Sequence, residues 1–139
     1  MRSRIIRCTL SGSFHRDRVG LESVYHELVT CGCQVLSPHR LDFDSEATLF
    51  VRDRAEHNTS EFDLEKHHLL SIGQSDFLWV HAPNGYTGIS AALEIGYAVA
   101  HSIPIFSSEP LEDLTLRLFV KEASSVFRAI EFLGSVKDS

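Results

Sequence analysis

The chain has 139 residues, a length that fits one domain and lets roughly 68–70% of the unfolded surface be buried. Its 43% hydrophobic and 23% charged residues are those of an ordinary soluble globular protein, so no metal or disulfide framework is needed to explain folding. A formal net charge of −6 repels phosphate backbones and disfavours extended nucleic acid, although a local nest of backbone N–H groups can hold one phosphate.

The N-terminus, Met1-Arg2-Ser3-Arg4, leads straight into Ile5 and Ile6 without a signal-peptide pattern. No apolar run approaches the ~18–20 residues that cross a bilayer. The expectation is a cytoplasmic protein with no membrane partner. Residues 4–10 read as a first strand, broken by Ser11-Gly12-Ser13-Phe14. From Asp17, Leu21, Val24, Leu28 and Cys31 recur at helical spacing, and Gly32 is the stop. His15, Arg16 and Arg18 could meet a phosphate, but read first as the solvated start of that helix. Residues 33–37 form a short second strand ended by Pro38, and residues 38–59 show no sustained period.

Ser60 followed by Asp63 has the form of a capping box and opens a helix to about Gly73. Residues 76–81 (DFLWVH) read as a buried strand, 88–101 as an alanine-rich helix and 103–107 as a further strand. In the tail, residues 117–121 read as an edge strand and 124–133 as a last helix capped by Ser124. Alternating strands and helices predict an α/β fold: one Rossmann-like or flavodoxin-like three-layer domain over residues 1–139, with a mostly parallel sheet of four to five strands. Ligands of such sheets bind beyond the C-terminal ends of the strands. That rule selects residues 11–14, the segment 38–59 and residues 82–90.

Cys8, Cys31 and Cys33 read as small buried residues of a reducing compartment. The eight histidines fall in no zinc-binding spacing, so neither a metal nor an organic cofactor is implied. His67 and His68 are adjacent on a helix and point to different faces. The densest pattern runs from Asn84-Gly85-Tyr86-Thr87-Gly88 through Ile89-Ser90-Ala91-Ala92-Leu93 to Glu94-Ile95-Gly96-Tyr97-Ala98. It is a strand, a Gly-rich loop and a helix with one carboxylate in its early turns. The N–H groups at the helix start favour an anion nearby and help keep Glu94 ionised. On periodicity alone, a solvated Glu94 is an even alternative. Tyr86 and Phe14, on loops, are placed to sandwich a base, whereas Trp79 reads as core.

Residues 75–105, from Ser75-Asp76 through Gly88 and Glu94-Ile95-Gly96-Tyr97-Ala98 to Pro104-Ile105, resemble the signature half of the nucleoside 2-deoxyribosyltransferase family. Ser11-Gly12-Ser13-Phe14 is similar to the family's opening loop, which approaches base and sugar. The resemblance implies that Glu94 attacks an anomeric carbon to form a glycosyl-enzyme, as in retaining glycosidases. It also implies a homodimer or higher homo-oligomer that completes its site with a neighbouring subunit, and the run Leu116, Leu118, Phe119 and Val120 packs either between chains or on its own sheet.

The chain departs from the family twice. Where an Asp commonly stands eight residues before the strand's Asp, this chain has His68, which can serve as acid or base near neutral pH. The nearest acids, Asp63 and Glu65, lie earlier on the same helix. Six residues before Glu94, where transferases have Asp and the related deoxynucleoside 5′-monophosphate N-glycosidases have Ser, stands Gly88; Thr87 and Ser90 offer hydroxyls for a 5′-phosphate or act as helix caps. The expected function is therefore hydrolysis, less readily transfer, of an N-glycosidic bond in a nucleoside or nucleoside 5′-monophosphate. Glu94 would be the nucleophile and His68 the proton donor. Ser11, Gly12, Ser13, Phe14, Asn84, Tyr86, Gly88 and Ser90 would bind the substrate. The alternative is a non-catalytic nucleotide-binding or sensing module that uses the same pocket.

Overall fold

A computed structural model of the chain describes residues 4–12, 14–39 and 60–138. Strands β1 (Arg7–Gly12), β2 (Gln34–Ser37), β3 (Phe77–His81), β4 (Ile105–Ser107) and β5 (Lys121–Glu122) form one sheet. Their order is β2-β1-β3-β4-β5, and every pairing is parallel. Helices α1 (Arg18–Thr30), α2 (Glu61–Gly73), α3 (Ile89–Ala100), α4 (Leu114–Arg117) and α5 (Val126–Asp138) complete an α/β three-layer fold of the Rossmann-like, flavodoxin-like kind. The expected mostly parallel sheet is thus entirely parallel.

The layering follows from side-chain alternation along the strands. Cys8 and Leu10 of β1, with Phe77 and Trp79 of β3, pack with Leu21, Val24 and Leu28 of α1 and with Val126 and Ala129 of α5. On the other face Leu78, Val80 and Ile105 pack with Ile72 of α2 and with Ile95 and Ala98 of α3. Thr9 and Ser11, the alternate residues of β1, are fully buried polar groups. Thr9 meets the Ser75 hydroxyl at 2.8 Å.

Local signals explain the helix limits. Asp17 caps α1 by accepting the Gly20 N–H, and Gly32, at φ +86°, follows its end. Ser60 caps α2 by accepting the Asp63 N–H. Gly88 holds the cap position of α3, so neither Thr87 nor Ser90 does. Asp76 binds the N-terminal segment, accepting the Arg7 N–H at 2.8 Å and the Arg4 guanidinium at 2.8 Å.

Several expectations are corrected. β1 extends to Gly12, so Ser11 and Gly12 end a strand rather than break it. Of the expected edge strand over residues 117–121, only Lys121 is in a strand. Asp113 accepts the Leu116 N–H and opens the short α4, which leaves Lys121–Glu122 as the edge strand. Ser125, not Ser124, accepts the Arg128 N–H at the start of α5, while Glu27 of α1 takes the Val126 N–H. Cys8 and Cys33 are buried, but Cys31 ends α1 with its thiol exposed. In the tail run, Val120 is buried and Leu116 half-buried, while Leu118 and Phe119 are exposed. Residues 40–59 of the unreadable segment lie outside the described residues, as does Ser13. Among the described residues no helix is long and apolar enough to cross a membrane.

Candidate active site

In this strand order the connections diverge between β1 and β3, the switch point beyond whose carboxyl ends sheets of this kind bind their ligands. The segment after β1 and the one after β3 border it. Ser11 lies beside Val80 and Gly12 beside His81 in the paired register. Gly12 has φ +135°, and a Cβ there would collide with the His81 carbonyl, so only glycine lets the two strand ends lie this close.

Glu94 arrives from α3. The buried residues of that helix are Ala91, Glu94, Ile95 and Ala98, the spacing of one core-facing stripe, so the carboxylate lies among core positions. Its residue exposure is 5%. His68 comes from α2 and is buried on the stripe with Leu64, Ser71 and Ile72, while His67 is exposed. His68 Nε2 stands 3.4 Å from Glu94 Oε1 and 3.1 Å from the Ser11 hydroxyl. Its Nδ1 is 2.7 Å from the Ser37 hydroxyl of β2. Four secondary-structure elements therefore converge on one imidazole and one carboxylate.

The electrostatics divide the carboxyl groups. Burial works to raise the pKa of Glu94, but attraction to His68 and hydrogen bonds from His68, Glu65 and Ser11 outweigh it, and the group is held below the usual carboxylate value. Glu65, also on α2, moves the other way: burial, then its hydrogen bond to and repulsion by Glu94, push it up to about 9. At neutral pH Glu94 is ionised and Glu65 carries a proton.

The remaining sequence-predicted residues lie around this centre. The Phe14 ring stands edge-on to His68, with centroids 6.5 Å apart. The Arg16 guanidinium covers one face of Tyr86 at 3.8 Å from the ring centroid, so this arginine is more than a solvated helix start. Asn84 is exposed, and its backbone N–H donates to Glu109 at 3.2 Å. Gly85, at φ +80°, is pressed against the Pro110 carbonyl, which fixes the loop before α3. Gly88 is half-buried and Ser90 exposed at the start of α3. Ser11, Phe14, His68 and Glu94 are thus brought together, with Gly12 next along β1, whereas Asn84, Tyr86, Gly88 and Ser90 lie on the segment leading into α3.

Two residues and one residue pair escaped the sequence-predicted set. Glu65 had a usable signal, because it precedes His68 by three residues and so shares its helix face. Ser37 had none, since only the pairing of β2 beside β1 brings it to His68. The third is the pair of His81 Nε2 and Asp17 Oδ2, 3.1 Å apart, which joins the end of β3 to the cap of α1. Among the described residues no cluster of three or more His, Cys, Asp or Glu side chains is arranged to hold a metal ion. The chain matches no protein-family model and no curated protein.

Proposed function

We propose that this chain hydrolyses the N-glycosidic bond of a nucleoside or nucleoside 5′-monophosphate, in the manner of the nucleoside 2-deoxyribosyltransferase-like superfamily that its Glu94 segment resembles. The observation that carries the reading is Glu94 itself, a carboxylate 5% exposed yet held ionised beside His68. Burying an ion costs several kcal/mol, and an apolar residue on this stripe of α3 would avoid that cost. A carboxylate kept charged in such a place suits attack on an electron-poor anomeric carbon.

In the first step a Glu94 oxygen bonds to the anomeric carbon, and the C–N electron pair leaves with the base. His68 supplies the proton that neutralises the departing nitrogen. Water then attacks the same carbon, the ester oxygen returns to Glu94 as carboxylate, and the water proton returns to His68. Hydrolysis is favoured over transfer because Gly88 and His68 stand where the transferases carry acids. The hydroxyl of Ser90 and the first N–H groups of α3 suit a 5′-phosphate. A homo-oligomer belongs to the same reading, supported by exposed Ile89 and Leu93 on α3 and Leu118 and Phe119 after α4.

The test is a chromatographic screen of common nucleosides and 5′-monophosphates for free base. Release from at least one is expected, and Glu94→Ala should lower it on the order of a thousandfold or more. No release from any, with a thermal shift from one of them, would replace the hydrolase with the nucleotide-binding module.

A further inference from the structure

The two nitrogens of His68 meet different kinds of partner. On one side the Ser37 hydroxyl, at the end of β2, lies 2.7 Å from Nδ1. On the other, Ser11 of β1 and Glu94 of α3 share Nε2, at 3.1 and 3.4 Å. Ser37, His68 and Glu94 are all buried, so each nitrogen relies on its protein partner. A carboxylate oxygen only accepts, so the nitrogen facing Glu94 carries a hydrogen whenever Glu94 is ionised. A second proton on the ring therefore lands on Nδ1, against Ser37. A hydroxyl serves this nitrogen in both states: it donates to the bare Nδ1 and accepts from Nδ1–H. The bond from the charged ring is the stronger of the two, so Ser37 favours the charged form.

We propose that Ser37 is a positioning residue for His68: by holding the Nδ1 proton it leaves Nε2 as the atom through which the ring gives and takes protons at Glu94. The inference rests on the reading of Glu94 as an ionised nucleophile. In the resting site the charged ring faces the Glu94 carboxylate. When a Glu94 oxygen bonds to the anomeric carbon, the carboxylate becomes an ester and the Nε2 proton loses its counter-charge. That proton passes to the departing base nitrogen, which keeps the C–N electron pair. The ring is left neutral, with its hydrogen on Nδ1. Water then bonds to the same carbon, its proton goes to Nε2, and the ester oxygen returns as carboxylate. Ser37 accepts from Nδ1–H through both steps. Loss of the Nδ1 proton from the free enzyme, with the remaining hydrogen on Nε2, therefore ends activity at alkaline pH. Glu94 from α3 faces the ring directly, and Glu65 stands one turn earlier on α2. β1 and β2 reach it through hydroxyls, and the Phe14 ring stands edge-on to it. His67, next on α2, is exposed and meets the ring of His39 instead.

The test compares wild type with Ser37→Ala, which removes the hydroxyl, and Ser37→Thr, which keeps one. The first readout is the pH profile of base release. The alkaline decline of Ser37→Ala should begin about half to one pH unit below that of wild type. Its KM should stay within about threefold of wild type, with the loss falling on kcat. Ser37→Thr should keep the wild-type profile. A merely structural contact would lower stability and leave the decline where it was.

The second readout is the imidazole nitrogen NMR spectrum of histidine-labelled protein, with the His68 signals identified by their loss in His68→Gln. Above the alkaline decline the neutral wild-type ring should carry its hydrogen on Nε2, and below it the ring should carry hydrogens on both nitrogens. Base release whose decline is unmoved in Ser37→Ala overturns this inference alone, as does a neutral wild-type ring with its hydrogen on Nδ1. No base release from wild type overturns the reading of Glu94 and this inference with it, whatever the spectrum shows. Should Ser37→Ala not fold, the wild-type spectrum decides by itself.

Discussion

His68 is held at both ring nitrogens, by Ser37 from β2 on Nδ1 and by Ser11 and Glu94 on Nε2. A ring fixed on two sides is oriented before any ligand arrives, which is what a proton-transfer group needs. Ser37→Ala leaves Nδ1 buried without that partner, and a loss of about 1–3 kcal/mol is expected in denaturant titration. An unchanged midpoint would mean that the contact carries no weight. Glu94 gives a second prediction, at acid pH. Its folded pKa is below the ordinary value of 4.5, so between the two values the unfolded chain binds more protons than the native one. The stability it contributes is present above pH 4.5 and is lost as pH falls through the folded value. Glu94→Gln should therefore flatten the acid limb below pH 4.5. A variant with an acid limb as steep as wild type would refute the assignment.

At the scale of elements, α2 links folding to the site because it carries both Glu65 and His68. Ser60 is its cap, and Ser60→Ala should cost about 1 kcal/mol and speed hydrogen exchange in the first turn of α2. Unaltered exchange there would show that tertiary contacts alone hold the helix start. The same cap explains why α2 was legible in the sequence: Ser60, Asp63 and the spacing of Leu64, His68 and Ile72 agree on one helix. α1 and α3 were legible for similar reasons, with Asp17 or Gly88 before a regular apolar stripe. The tail was not. Residues 116–120 are apolar enough for a strand, but Leu116 and Val120 turn inward while Leu118 and Phe119 stay exposed, and a helix cap at Asp113 decides the local structure. The candidate site divides in the same way. Glu94 was legible as a charge within an apolar helix, although only packing shows which face it occupies. Ser37 reaches His68 through the lateral order of strands, which no local pattern encodes.

The whole molecule folds around a shared sheet, and this has a measurable consequence. The α1/α5 core and the α2/α3 core each use alternate residues of the same strands: Phe77 and Trp79 face one way, Leu78 and Val80 the other. Neither core can lose its strand surface without exposing the other, so the domain should unfold in one cooperative step. Trp79, the chain's single tryptophan, reports from the α1/α5 side. Ile95→Ala removes volume from the opposite side, where Ile95 is almost fully buried, and should cost about 2–5 kcal/mol. Although Ile95 is on the far face, the Trp79 fluorescence transition should move to lower denaturant by the same amount as the far-UV helix signal. Leu28→Ala, on the tryptophan's own side, should shift both signals together in the same way, and the double variant should be close to additive because the two side chains occupy separate cores. If Ile95→Ala instead moved the helix signal while leaving the Trp79 transition in place, the two layers would be separate folding units. Glu94, His68 and Glu65 would then belong to the weaker layer, able to open without unfolding the sheet.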